Sequence, residues 1–217
     1  MHVFLILSTP LVHAYLLVLR EQTGRTAAMT VVPAVKGVLS YLVVLVPLLL
    51  IGRFVARPFA GSGLYLYGTV YDFALPGLIA FLFYLWLVPD VGGLTADERF
   101  LSLFSFYAGV FTLAGLMDLF LRADYHGVYE LFMLPALRLA FMLYVPSLYY
   151  RFSSENSWIR YLYLLLMCGV PFALGLVSLA AAMYLGSASV LGTVGLLIGG
   201  CAVALFGAGG IGMYRFR

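Results

Sequence analysis

The chain has 217 residues, of which 64% are hydrophobic and only 10% are charged. A water-soluble domain carries about 25% charged residues, so this chain lacks the polar surface that solubility in water requires. The formal net charge is +3 and the sequence contains no basic tract, so nucleic acid is not a predicted partner. The composition therefore predicts a protein whose solvent, and main partner, is the lipid bilayer.

Seven apolar stretches follow one another, and each is close to the ~20 residues that a helix needs to cross a bilayer. They run approximately over 2–20, 32–55, 63–88, 99–121, 127–149, 159–185 and 188–213. No connector is long enough for a soluble domain. We predict an all-α membrane protein, a polytopic bundle of about seven transmembrane helices forming one domain over residues 1–217. The count is six if the first stretch, which lacks the basic start of a signal peptide, does not span.

The basic residues predict the orientation of this bundle, because cytoplasmic loops carry an excess of lysine and arginine. One side of the predicted topology holds Arg20, Arg25, Lys36, Arg99, Arg151, Arg160, Arg215 and Arg217. The opposite side holds only Arg53, Arg57 and Arg122. We therefore expect a multi-pass protein of the cell inner membrane, with the N-terminus outside and the C-terminus in the cytoplasm.

Asp72 is the strongest chemical signal in the sequence, because it lies inside the apolar stretch 63–88. Pro76 follows four positions later and has no N–H to donate to the Asp72 carbonyl. Arg138 lies about eleven residues into its own stretch, at a predicted depth close to that of Asp72. Charges at membrane depth are costly and mark functional sites or buried pairs. Two interpretations stay open: a structural Asp72–Arg138 ion pair, or a substrate or ion site near the midplane.

A second polar group is predicted near the outer face. His126 and Glu130 are four residues apart, on one helical face, and Asp118 ends the preceding stretch. They are weak candidates for a metal site, with a solvated or Arg122-paired cluster as the alternative. The nearby tyrosines predict either an aromatic belt or a cavity lining. The predicted ligand- or ion-binding residues are Asp72, Glu130, Arg138, Asp118 and Tyr71, and no cofactor is predicted.

The last stretch is rich in glycine, and Gly195 and Gly199 form a GxxxG motif. Small residues let helices approach closely in lipid. This pattern predicts helix packing, either against the preceding span or in a homo-oligomer or a complex with a partner membrane subunit.

The predicted spans contain no Asn or Gln, which favours a small cation, a proton or an apolar ligand over sugars and polar amino acids. We predict a transporter or the membrane subunit of a transport complex. One alternative is a non-catalytic scaffold that docks a partner through the glycine-rich last helix. A second alternative is an intramembrane enzyme acting on lipid or peptide, although no catalytic residue is predicted.

Overall fold

A computed structural model describes residues 26–54, 61–88, 95–121 and 134–185. The backbone over these ranges is almost entirely helical and contains no strand, so the all-α class is confirmed for the described part of the chain. The elements are α1 (Thr26–Phe54), α2 (Gly61–Tyr67), a π-helical segment (Gly68–Ala74), α3 (Leu75–Leu87), α4 (Ala96–Leu121), α5 (Leu134–Ser154) and α6 (Ile159–Leu185).

Four helical stretches are long and apolar enough to cross a membrane. They are Thr30–Leu50, Tyr65–Leu87, Glu98–Asp118 and Ile159–Ala180. Each coincides with one of the seven predicted spans. The first and last predicted spans lie outside the described residues, so the count of seven, or of six, stays a prediction.

Helix α5 corresponds to the fifth predicted span but is not one of these four stretches. Twelve of its 21 residues are buried, and they include Arg138 and Ser147. It also continues to Ser154, beyond the predicted end at residue 149, and the Glu155 N–H still donates to the Arg151 carbonyl at 3.0 Å. A helix surrounded by protein can carry polar side chains that a lipid-facing helix cannot, which explains its lower apolarity.

Helix α4 begins at Ala96, earlier than the predicted start at residue 99, because a capping box stabilises its first turn. The Thr95 N–H donates to the Glu98 carboxylate at 2.9 Å, and the Glu98 N–H donates to the Thr95 hydroxyl at 3.3 Å. The T-x-x-E pattern was present in the sequence, so this start could have been predicted.

The chain divides into two compact units, which we describe separately. The first comprises residues 1–56 and 75–125, and the second comprises residues 57–74 and 126–217. The prediction of one transmembrane domain remains a prediction.

In the first unit, α1 and α4 meet through two glycines. The Phe106 carbonyl oxygen occupies the place where a Gly37 Cβ would stand, and the Ala34 carbonyl oxygen does the same at Gly109. Residues 34 and 37 therefore pair with 109 and 106 in the reverse order, which makes the two helices antiparallel. Backbone contact this close requires residues without a side chain.

The described surface carries many large apolar side chains on α1, α3 and α6. They include Leu39, Val46, Leu78, Leu82, Leu162, Leu165 and Leu176. Monomeric soluble proteins seldom expose such contiguous apolar surface, whereas lipid chains are its natural solvent. The exposed faces and the four apolar helices are compatible with a membrane-embedded protein.

Candidate functional site

The candidate site is built on the π-helical segment Gly68–Ala74, which follows α2 without a break. The sequence predicted an α-helix here, with one hydrogen bond missing at the Asp72 carbonyl because Pro76 has no N–H. The chain instead adopts a wider helical turn over seven residues. Short π-helical segments within α-helices are frequent at functional sites, and they shift side chains out of the regular helical register.

Asp72 and Arg138 are both buried in the second unit, with 2% and 5% of their surfaces exposed. The Phe73 ring, next to Asp72, stacks on the Phe141 ring of α5 with 6.5 Å between centroids. Phe141 lies one helical turn after Arg138, so this contact brings the π-helical segment against the part of α5 that carries the arginine. The predicted ion pair between the two side chains stays a prediction.

Helix α6 approaches the π-helical segment through small residues. A Cβ at Gly175 would overlap the Thr69 hydroxyl oxygen, so the two backbones lie close together. A Cβ at Gly68 would stand 3.3 Å from the Ser178 hydroxyl oxygen and 3.9 Å from an Asp72 carboxylate oxygen. No other described atom lies within 4 Å of this Cβ position, when the residues on either side of Gly68 and the nearby backbone of its own helix are left out. Two side-chain oxygens from different elements therefore lie close to Gly68.

The Thr69 hydroxyl is fully buried and has no hydrogen-bond partner among the described residues. A helical threonine usually donates to the carbonyl four residues earlier, and Thr112 in α4 does so to the Ala108 carbonyl at 2.6 Å. Burying a hydroxyl without a hydrogen bond costs roughly 1–3 kcal/mol. A polar atom kept at this cost calls for a functional explanation, such as an unseen water or ion.

Where the π-helical segment meets α6, the side chains offer two hydroxyls, from Thr69 and Ser178, and one carboxylate, from Asp72. Oxygen donors of this kind suit a hard cation or a proton held on the carboxylate. Membrane transporters also use the carbonyls of irregular helices for such sites. In the described ranges, no three His, Cys, Asp or Glu side chains cluster in a way that could hold a metal ion.

The other predicted site residues are not gathered here. Tyr71 is half-buried and stacks on the Tyr67 ring, with 4.8 Å between centroids. Asp118 is buried on α4 in the first unit. Glu130, His126, Gly195 and Gly199 lie outside the described residues, so the second polar group, the weak metal site and the GxxxG packing remain predictions.

Sequence reasoning missed Thr69 and Ser178, together with the glycines that bring them together. The available signals were local: Gly68 and Thr69 lie one turn before Asp72, and Gly175 and Ser178 share one helical face. The chain matches no protein-family model, no curated protein and no solved structure.

Proposed function

We propose that this chain carries a small cation or a proton across a membrane, by itself or as the membrane subunit of a transport complex. The observation that supports it best is Asp72, a buried carboxylate on a π-helical segment inside an apolar helix. Ionisable groups at membrane depth are expensive, and transporters use them as ion and proton relays.

The chemistry of the proposal depends on keeping the Asp72 charge neutralised in a medium of low dielectric constant. A bound proton or cation neutralises the carboxylate on loading. After the ion leaves, the Arg138 guanidinium supplies the counter-charge, since both side chains are buried in the same unit. Such an exchange never leaves the carboxylate uncompensated, and an uncompensated buried charge would be strongly destabilising.

The test is ion flux into liposomes that contain the full chain, measured with pH-sensitive and sodium- or potassium-sensitive dyes. We expect flux from the natural protein and its loss in Asp72→Asn, which keeps the side-chain shape and removes the charge. Ser102→Ala is the matched control, because it alters a buried side chain in the other unit. Flux that is unchanged in Asp72→Asn, or absent from the natural protein for all three ions, would overturn transport by this chain acting alone.

We also propose the finer topology: seven spans in the cell inner membrane, with the N-terminus outside and the C-terminus in the cytoplasm. Reporter fusions at Gly93 and Glu155 should report a cytoplasmic location, and fusions at Phe59 and Asp124 an external one. The eight-to-three asymmetry of basic residues supports this orientation. An external signal from the fusion at Glu155 would contradict it.

A further inference from the structure

We propose that the contact between the π-helical segment and α6 holds a binding site for a sodium-sized monovalent cation, with Thr69, Asp72 and Ser178 as its side-chain ligands. This inference rests on the proposed transport function and names the ion that the site would bind.

Two side-chain oxygens lie close to Gly68. The Ser178 hydroxyl oxygen and an Asp72 carboxylate oxygen both lie within 3.9 Å of the point where a Gly68 Cβ would stand. The two oxygens come from different elements, α6 and the π-helical segment. A side chain at position 68 would stand only 3.3 Å from the Ser178 oxygen, so glycine lets these two oxygens approach each other.

The Thr69 hydroxyl also favours a bound cation at this contact. Its oxygen is fully buried and has no hydrogen-bond partner among the described residues. Gly175 allows α6 to approach so closely that a side chain there would displace this hydroxyl. A cation bound nearby would accept the oxygen as a ligand and remove the cost of burying it.

The charge of the three side chains favours a monovalent cation. They supply one carboxylate and two neutral hydroxyls, so their formal charge matches a monovalent cation in the loaded state, in which the ion and not Arg138 balances Asp72. A calcium site usually gathers several charged or carbonyl oxygens, and magnesium keeps a shell of water.

The experiment is thermal unfolding of the full chain in detergent, in sodium chloride and in choline chloride at equal ionic strength. We expect sodium to raise Tm, by about 5 °C when its concentration is 100-fold above Kd. Lithium should act similarly, and potassium should have a smaller effect. The shift should disappear in Thr69→Val and in Ser178→Ala, and it should return in Thr69→Ser, which restores a hydroxyl.

Two comparisons distinguish sodium binding from a general effect on stability. Ser102 also has a buried hydroxyl with no hydrogen-bond partner among the described residues, but it lies in the first unit. Ser102→Ala should therefore keep the full sodium shift. In choline, Thr69→Val should be at least as stable as the natural protein, because it replaces an unsatisfied hydroxyl with a methyl group.

A natural protein with no sodium-dependent shift would overturn this inference, and so would equal shifts in Thr69→Val, Ser178→Ala and Ser102→Ala. The proposed function is judged separately by the flux assay. Flux that depends on Asp72, in a protein that shows no sodium shift, would reject the sodium site and leave proton transport standing.

Discussion

The two units of the molecule use glycine for close helix approach, but the glycines face different partners. In the first unit, Gly37 and Gly109 lie against backbone carbonyls of the opposing helix. In the second unit, Gly68 and Gly175 lie against side-chain oxygens, those of Ser178, Asp72 and Thr69. The first arrangement brings two backbones together and leaves no room for a ligand. The second brings side-chain oxygens from two helical elements close together.

Both units contain buried polar side chains that donate to backbone carbonyls. In the first unit the Tyr107 hydroxyl donates to the Gly77 carbonyl at 3.0 Å, and in the second the Ser147 hydroxyl donates to the Leu143 carbonyl. Each unit also contains one buried hydroxyl without a hydrogen-bond partner among the described residues, that of Ser102 in the first and that of Thr69 in the second. Thr69 adjoins Gly68, near which the Ser178 and Asp72 side-chain oxygens lie, so these neighbouring oxygens distinguish the candidate site.

The largest expected effect concerns the charges of the second unit. If Asp72 and Arg138 pair, replacing either with alanine strands the other charge and should cost about 3–5 kcal/mol of stability. The double variant Asp72→Ala/Arg138→Ala should lose less than the sum of the two single losses. Unfolding of the three variants in one detergent measures this coupling. Additive losses would show that the two side chains act independently, and Asp72 would then need another partner.

The next largest effect is expected where α1 and α4 approach each other closely in the first unit. Gly109→Ala should cost roughly 3 kcal/mol, because the new Cβ overlaps the Ala34 carbonyl oxygen and a backbone must move. Gly115 is the matched control on the same helix, since no described atom lies within 4 Å of its Cβ position. Gly115→Ala should be neutral or slightly stabilising. Equal stability of the two variants in a thermal unfolding assay would contradict the close contact.

A smaller effect is expected at the corresponding glycine of the second unit. Gly175→Ala places a Cβ that overlaps the Thr69 hydroxyl oxygen, which can rotate away, and lies 2.9 Å from the Thr69 Cβ, which cannot, so we expect a loss of about 2 kcal/mol. Gly169→Ala, on the same helix and with no described atom near its Cβ position, is the control. Gly175→Ala should also reduce ion flux, whereas Gly169→Ala should not. Full ion flux in Gly175→Ala would show that the contact between Gly175 and Thr69 is not needed for transport.

Much of the described fold could be predicted from the sequence, because the length of an apolar run follows directly from the thickness of a bilayer. The predicted stretches 63–88 and 159–185 agree closely with Gly61–Leu87 and Ile159–Leu185. The burial of α5 could not be predicted in this way. Its length fitted a span, and its lower apolarity alone does not tell whether it contacts lipid or protein, because that depends on its neighbours in three dimensions.

The candidate site was predicted only in part. Asp72 and Pro76 drew attention to the segment that is π-helical, because a charge and a missing donor are visible in the sequence. The π-helix was not predictable, since a simple kink would also accommodate the proline. Thr69 and Ser178 were missed because their environment depends on contacts between helices distant in sequence, which helical periodicity within one segment does not reveal.

The most direct test of the account is whether water reaches the oxygen cluster of the second unit. In a protein with Cys168 and Cys201 replaced by serine, Thr69→Cys and Ser102→Cys would be treated with a small, membrane-impermeant thiol reagent in liposomes. The account predicts that the cysteine at position 69 is labelled and that the cysteine at position 102 stays unlabelled. Equal labelling of the two positions, or none at position 69, would contradict it.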